Sequence, residues 1–287
     1  EYSEKVLTIH DFVDRELKHF SIADNVRSIP SVMDGLKPSL RKIMHVMLHL
    51  KINDDTGIRV SQLASMVALK TEYHHGEVSL CESMVKLAGK YPGSNNAELL
   101  APLGQFGNRL LGEDGAASPR YIYTKLSEYS RKLFIEEDTP LLDYLIDEGV
   151  TVEPKWFAPI IPVILINGTT GIGTGYSSDV ICYNPIEICT NVAKKLKGEP
   201  YEEMLPWYRG YKGKFIKYEK GFISKGLYKI LDGGDDRSRA KKIEITELPI
   251  GYWTEKYLLF LEGLRDAGAI ADFIKISIDD EDIRIQI

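Results

Sequence analysis

Two apolar stripes at helical spacing stand on either side of a short polar turn, and this pattern constrains the fold most. The first stripe lies within residues 60–67 and the second within residues 81–88. The turn between them, residues 71–76, ends in glycine. Two short helices joined by a tight turn that contains glycine predict a helix-turn-helix. The stripes consist of Val60, Leu63, Ala64, Val67, Cys81, Met84, Val85 and Ala88.

The segment after the helix pair predicts a wing. Residues 104–115 are rich in glycine, and residues 121–126 include aromatic and β-branched side chains, as strands do. A strand pair in this position would complete a winged helix. Two amphipathic helices are predicted upstream, with apolar positions at Ile9, Val13, Leu17 and Phe20 and at Leu40, Ile43, Met44, Met47 and Leu48.

An acidic stretch separates the first half of the chain from a second half with a different sequence pattern. Residues 136–153 hold seven acids and no base. We therefore predict a winged-helix domain over residues 1–135 and an α+β domain over residues 136–287, so the fold class is mixed α and β. In the second domain we expect a buried strand at 160–166, a helix capped by Asn184, antiparallel strands within 210–230, a strand at 243–248, a helix at 254–266 and two closing strands around 279–282.

Charge is unevenly distributed along the chain. The net charge of −6 gives no argument for a polyanionic partner. Residues 27–51, however, carry five bases against one acid, a local charge of +4, and residues 209–229 carry seven against one, a local charge of +6. Such basic islands are typical of nucleic-acid-binding proteins.

Cysteine usage and hydropathy favour a protein of a reducing compartment without a membrane span. The three cysteines have neither disulfide-framework nor zinc-ligand spacing. The longest apolar run, residues 158–166, is too short to cross a bilayer and contains two prolines. The chain lacks an initiator Met and its last residues alternate like an interrupted strand, so we expect an excerpt of a longer protein.

A glycine-rich loop follows the strand expected at 160–166. Strand, glycine turn and helix hold phosphate in dinucleotide folds, but Tyr176 stands where the third glycine or alanine is needed, and there is no P-loop lysine. The unusual residue is Ile172, which is flanked by glycines. An exposed apolar side chain can enter a base step and kink a duplex, whereas a loop isoleucine can also fold onto the core.

One face of the helix predicted around residues 40–48 is polar and basic. Without its sequence neighbours, this helix face would be interpreted as a solvent-exposed surface. Arg27 and Lys37 lie just upstream and the helix-turn-helix just downstream, so we favour contact with phosphates. The face carries Arg41, His45 and His49 at i, i+4 and i+8, with Lys42 beside them.

Two further groups are candidates for chemistry. His74 and His75 are poor joint zinc ligands because neighbouring side chains diverge, so we expect the turn that carries them to bind an anion by hydrogen bonds. Tyr121 follows Pro119, which restricts the backbone, and Arg120, whose planar cation suits phosphate oxygens. An activated tyrosine oxygen is a competent nucleophile.

Six motifs in order carry a family resemblance. They are Arg27-Ser-Ile-Pro-Ser-Val-Met-Asp-Gly-Leu-Lys-Pro38, Tyr73-His-His-Gly-Glu77, Gly93-Ser-Asn-Asn96, Gly104-Gln-Phe-Gly-Asn-Arg109, Ala116-Ala-Ser-Pro-Arg-Tyr121 and Ile166-Asn-Gly-Thr-Thr-Gly-Ile-Gly-Thr-Gly175. Together they resemble the DNA breakage-and-rejoining region of type IIA DNA topoisomerases. The His-His-Gly-Glu form resembles the eukaryotic topoisomerase II branch, since the bacterial enzymes have His-Pro-His-Gly-Asp.

The resemblance implies a fold, a reaction and roles for individual residues. It implies a winged-helix domain followed by a tower domain. Tyr121 would attack a DNA phosphodiester to give a 5′-phosphotyrosine and a free 3′-hydroxyl, and two subunits would open a double-strand gate. Arg120, Arg27 and His75 would assist the chemistry at the phosphate. DNA contacts are implied for Lys37, Arg41, Lys42, His74, Gln105, Arg109 and Ile172.

The resemblance also sets expectations for cofactors, partners and location. Magnesium would be held by a Toprim domain and ATP by an ATPase region, neither of which is in this chain, so we expect this piece alone to bind no cofactor or metal and to be inactive. Double-stranded DNA and a second copy in a homodimer are the expected partners. The location would be intracellular: the nucleus for a cellular protein, the cytoplasm or nucleus for a viral one. The alternatives are a non-catalytic winged-helix DNA-binding or architectural module and a nucleotide-binding enzyme.

Overall fold

The fold begins with a long helical segment whose apolar stripe is exposed. The computed structural model describes residues 6–50, 52, 56–231, 242–279 and 281–287. The segment comprises Ile9–Phe12 (α1), a π-helical stretch at Val13–Leu17 and Lys18–Ser28 (α2), and none of its side chains is buried. The predicted helix is thus confirmed. No helix in the described part of the chain is long and apolar enough to cross a membrane.

The next three helices build the core. Helix α3 (Pro38–His49) begins with proline at its first position, where the missing N–H is not needed. Helices α4 (Val60–Lys70) and α5 (Glu77–Ala88) form the predicted helix-turn-helix. Their apolar stripes join one buried cluster. Each fully buried Val, Leu or Met side chain of these stripes contributes about 1.5–3 kcal/mol of transfer free energy.

The strands after the helix pair confirm the wing. A three-stranded antiparallel sheet has the order β1-β5-β2, and β3 and β4 form a hairpin beside it. The strand predicted over 121–126 begins two residues later than expected, because residues 118–121 form a turn closed by the Tyr121 N–H donating to the Ser118 carbonyl at 2.9 Å. The strands are β1 (Ile58–Arg59), β2 (Leu100–Leu103), β3 (Phe106–Asn108), β4 (Gly112–Ala116) and β5 (Tyr123–Leu126).

The buried strand predicted at 160–166 is wrong. Residues Val163–Asn167 form a short helix, α7, that follows Pro162. Prolines cannot donate to a strand ladder, and Pro159 and Pro162 therefore interrupt the extended run that the apolar pattern suggested. The elements between β5 and α7 are α6 (Glu128–Leu133), a 3₁₀ helix (Glu136–Leu141), β6 (Tyr144–Asp147) and β7 (Val150–Pro154).

The other elements predicted for the second half are present. Helix α8 (Pro185–Leu196) is capped by the Asn184 side chain, which accepts from the Ile186 N–H at 3.0 Å. An antiparallel sheet of order β12-β13-β15-β14 closes the chain. The elements are β8 (Thr169–Ile172), β9 (Ser177–Val180), β10 (Lys214–Tyr218), β11 (Gly221–Lys225), β12 (Leu227–Leu231), β13 (Lys242–Glu247), α9 (Thr254–Asp266), β14 (Ile274–Lys275) and β15 (Ile285–Gln286).

The core continues across the expected domain boundary at residue 135. The rings of Phe134 and Phe157 are 5.4 Å apart between centroids, and both belong to the same buried cluster as α3. Asn96 donates to the carbonyls of Ile166 and Trp207, each at 2.9 Å. The division at residue 135 stays a prediction, and the structure adds that the two halves share a core.

Candidate nucleic-acid interface

Tyr121 stands on a turn that is fixed to the first helix of the helix-turn-helix. The Val60 N–H donates to the Ile122 carbonyl at 3.0 Å, and the Ser61 N–H donates to the Pro119 carbonyl at 3.1 Å. Ile122 is buried, whereas the Tyr121 side chain is 78% exposed. Arg120 is exposed beside it. The geometry therefore presents a phenol and a guanidinium to solvent from a supported backbone.

Arg59 supports the strand after Tyr121, and no motif in the sequence singles it out. Its Nη2 donates to the Tyr123 hydroxyl at 3.0 Å, and its guanidinium carbon lies 5.5 Å from the centre of the Tyr123 ring. Arg59 Nε is buried without a hydrogen-bond partner. Because Arg59 belongs to β1, which pairs with β5, it links the strand beside the Tyr121 turn to the start of α4.

A cleft of about 730 Å³ gathers several of the predicted site residues. Arg27, Lys42, His74 and His75 all line it. The Arg27 side chain is 64% exposed, and His74 Nε2 lies 3.3 Å from a carboxylate oxygen of Asp147. Neither of the residues presented on the 118–121 turn lines this cleft. The structure thus gathers four of the predicted site residues in one cleft that does not include the candidate nucleophile.

Arg41 belongs to a buried ion pair. It is buried, and its Nε and Nη2 donate to the two oxygens of the fully buried Asp34 at 2.8 and 3.1 Å. The same Nη2 donates to the Leu36 carbonyl at 2.7 Å, and the Phe157 N–H donates to Asp34 at 2.9 Å. The expected phosphate contact of Arg41 stays a prediction, and the structure adds that its guanidinium is held by a buried carboxylate. Arg41 holds the loop before α3 against the second half of the chain.

Lys42 has an internal partner although it lines the cleft. Its Nζ donates to the Thr71 carbonyl at 2.6 Å and to Glu153 at 2.9 Å. Because the Glu153 carboxylate is buried beside it, the positive charge of Lys42 is compensated inside the fold. The expected DNA contact of Lys42 stays a prediction, and in the structure the residue links the helix-turn-helix to β7.

His45 carries a testable pH dependence. Burial, then the charges of His49, Lys42 and Lys70, lower its pKa to about 4 from 6.5. In the unfolded chain the His45 ring therefore binds a proton below pH 6.5, whereas in the folded chain it does so only below about pH 4. Between these values we expect His45 to remove about 2 kcal/mol of stability, less than the full 1.4 kcal/mol per pH unit because the ring is partly solvated.

The measurement is the free energy of unfolding as a function of pH for the wild type and His45→Gln. Carboxylates titrate in both proteins, so their contribution cancels in the difference. The wild-type curve should fall more steeply as the pH drops from 6.5 to 4. Parallel curves would reject the assignment.

Lys37, Gln105 and Arg109 do not line the Arg27 cleft. Lys37 lines a separate cleft of about 670 Å³ with Lys86, and burial, followed by the charge of Lys86, lowers its pKa. Gln105 is exposed at the edge of a third cleft beside Lys90. The expected DNA contact of Arg109 stays a prediction, and the structure adds that this side chain is 1% exposed and that its Nη2 donates to a Glu247 carboxylate oxygen at 3.1 Å.

Ile172 is exposed at the tip of a hairpin. It ends β8, and its side chain is 78% exposed, so it does not fold back onto the core. The glycine-rich segment connects β8 to β9 in a hairpin, not a strand to a helix. The arrangement that dinucleotide folds use to hold phosphate is therefore replaced here by an antiparallel turn with an apolar tip.

The described residues contain no group of three or more His, Cys, Asp or Glu that could hold a metal ion. In the acidic turn near the C-terminus, the Asp279 side chain accepts from the N–H groups of Glu281 and Asp282 at 2.9 and 2.8 Å. Asp280 lies outside the described residues. This turn geometry explains Asp279 without a metal.

Comparison with known proteins identifies the family. Residues 27–287 match the DNA gyrase/topoisomerase IV A-subunit family. DNA topoisomerase 2 of Arabidopsis thaliana is 47% identical over 269 residues, 92% of this chain and 18% of that protein. The mitochondrial DNA topoisomerase 2 of Dictyostelium discoideum is 43% identical over 274 residues, 95% of this chain and 21% of that protein.

A solved structure agrees in fold. The crystal structure of the Plasmodium falciparum topoisomerase II DNA-binding, cleavage and re-ligation domain gives a TM-score of 0.89 at 40% identity, and the match covers 100% of this chain and 38% of that chain. This chain, with its winged helix followed by an α+β half, thus belongs to the DNA gyrase/topoisomerase IV A-subunit family. The two curated relatives are eukaryotic type II topoisomerases, which confirms the predicted branch. The chain spans roughly a fifth of the length of these curated relatives.

Proposed function

We propose that this chain is the DNA breakage-and-rejoining part of an ATP-dependent type IIA DNA topoisomerase. The observation that carries the proposal is the exposed Tyr121 beside Arg120 on a turn fixed to α4. The Tyr121 oxygen loses its proton and attacks a backbone phosphorus. The bond from phosphorus to the 3′ oxygen breaks, that oxygen takes up a proton, and a 5′-phosphotyrosine remains. Attack by the 3′-hydroxyl reverses the step and rejoins the strand.

Other side chains assist this transesterification in the proposal. Arg120 stabilises the negative charge that develops on the phosphate oxygens, a role that suits its planar cation. Arg27 and His75, which line one cleft, orient the phosphate. Lys37, Gln105 and His74 contact the duplex. A second copy of the protein cleaves the other strand, so that a homodimer opens a gate in double-stranded DNA.

We assign the metal and nucleotide to other regions of a longer protein. Among the described residues of this chain, no group of three or more His, Cys, Asp or Glu could hold a metal ion. Magnesium would be bound by a Toprim domain and ATP by an ATPase region. The proposed location is an intracellular compartment that holds DNA.

Trapping of a covalent adduct tests the proposal. The complete protein is incubated with supercoiled plasmid, magnesium and ATP, and the reaction is stopped with detergent. We expect DNA to remain attached to the protein under denaturing conditions. Binding of DNA without an adduct would instead establish the non-catalytic winged-helix module.

Ile172→Ala should reduce the bend of bound DNA. Inserting an apolar side chain between base pairs requires unstacking, which costs a few kcal/mol. The additional contacts that the bent DNA makes with the protein compensate for this cost. Removing the wedge should weaken binding modestly and slow cleavage indirectly. Fluorescence transfer between dyes at the two ends of a duplex reports the bend angle.

A nicked duplex provides the control for this variant. Its deformation is already inexpensive, so it should restore part of the lost bending. Ile186→Ala changes an isoleucine of similar exposure, 75%, on α8 and should leave the bend unchanged. An unchanged bend with Ile172→Ala would remove Ile172 from the proposed role.

A further inference from the structure

One carboxylate joins the Ile172 hairpin to Arg27. Thr174, two residues after Ile172, donates from its hydroxyl to Asp24 Oδ2 at 2.8 Å. Arg27 Nη2 donates to the other oxygen, Asp24 Oδ1, at 3.0 Å. Asp24 therefore contacts both Thr174 in the hairpin and Arg27 in the cleft of about 730 Å³, although the two are far apart in the sequence.

The hairpin lies directly against the end of α2. The Asn25 side chain donates to the Thr174 carbonyl at 3.1 Å. A Cβ atom added to Gly171 would overlap the Ser28 carbonyl oxygen, and one added to Gly173 would overlap the Asn25 side-chain oxygen. Because the overlap at Gly171 is with backbone, only glycine permits this approach there, and the hairpin packs against the last turn of α2.

The Asp24 carboxylate is well suited to hold two donors at once. The Thr174 hydrogen bond, followed by the Arg27 hydrogen bond, lowers its pKa, so it is ionised at neutral pH. The Ser28 hydroxyl also donates to Oδ1 at 3.4 Å. The Asp24 side chain is only 16% exposed, whereas that of Arg27 is 64% exposed. The anion is therefore fixed and the cation is the end that can reach a ligand.

We propose that Asp24 is a positioning residue that couples DNA bending by the Ile172 hairpin to phosphate orientation by Arg27. The inference rests on the proposed function, which gives Ile172 and Arg27 these roles. The Thr174 hydrogen bond fixes the orientation of the carboxylate, and the carboxylate fixes the guanidinium against the cleft. Insertion of Ile172 into DNA thereby determines the orientation of the Arg27 guanidinium.

Thr174→Val in the complete protein separates coupling from bending. Valine has nearly the shape of threonine, and the substitution leaves the residues Ile172, Asp24 and Arg27 themselves unchanged while it removes the hydrogen bond that orients the Asp24 carboxylate. We expect the bend angle measured by fluorescence transfer to stay at the wild-type value. The rate of adduct formation at saturating DNA should fall by about 10- to 100-fold, the loss typical of a misplaced group.

Two comparisons make the test specific. Thr170→Val removes the hydroxyl of another threonine of the hairpin, which donates to Asp179 at 3.3 Å, and should retain the wild-type rate. The double variant Thr174→Val/Arg27→Lys should be no slower than Arg27→Lys alone, because both changes act through the same guanidinium. Additive losses, or a wild-type rate for Thr174→Val, would overturn the coupling. Absence of any adduct in the wild type would instead overturn the proposed function.

Discussion

Tyr121→Phe should abolish the covalent adduct with DNA while leaving DNA affinity nearly unchanged. The substitution removes only the attacking oxygen, and loss of a nucleophile lowers a turnover rate by more than about 10⁴-fold. The phenylalanine ring would keep its place on the turn, because backbone hydrogen bonds to α4 hold that turn. The measurement is adduct formation and relaxation of supercoiled plasmid by the complete protein.

Tyr129→Phe is the matched control. Tyr129 is also exposed, at 46%, but lies on α6 outside the turn. We expect this variant to form adducts at the wild-type rate. Retained relaxation by Tyr121→Phe would reject Tyr121 as the nucleophile, and loss of DNA binding would show that the variant had changed more than chemistry.

Asp34→Ala should destabilise the fold by about 3–5 kcal/mol, because it leaves the buried Arg41 charge without its partner. Asp34 is fully buried and accepts two hydrogen bonds from Arg41. It also accepts from the N–H groups of Leu36 and Phe157, each at 2.9 Å. Chemical denaturation of the purified chain measures the change in the free energy of unfolding.

An exposed ion pair supplies the comparison for this variant. Lys155 and Asp143 are 3.6 Å apart, and their side chains are 55% and 78% exposed. Lys155→Ala should change stability by less than about 1 kcal/mol, since water screens such pairs. Equal losses for Asp34→Ala and Lys155→Ala would show that the buried pair does not hold the loop before α3.

The helices were predictable because their signals are local. The helix-turn-helix and the cap of α8 by Asn184 follow from spacing and from neighbouring residues, and the structure confirms both. The segment at 160–166 was mistaken for a strand because apolar character alone does not distinguish a short buried helix from a strand. Pro162 and the preceding Pro159 are the local signal against a strand.

The partners of the site residues were not predictable from local sequence. Helical periodicity put Arg41 on a polar face, but its partner Asp34 stands in the loop before the helix, and burial of the pair depends on tertiary packing. Arg109 pairs with a carboxylate 138 residues away. The contact of Asp24 with Arg27 has i, i+3 spacing and is predictable from local sequence. The contact of Asp24 with Thr174 spans 150 residues and is not predictable in this way.

The most direct test of the proposed function is to locate the DNA on the trapped protein. A duplex with label at either the 5′ or the 3′ end of the cleaved strand is reacted with the complete protein, and the adduct is digested and sequenced by mass spectrometry. We predict that the modified peptide carries its nucleotide on Tyr121 through a 5′-phosphate, so that the 3′-end label stays with the protein. A nucleotide on another residue, or a 3′-phosphate linkage, would contradict the proposal.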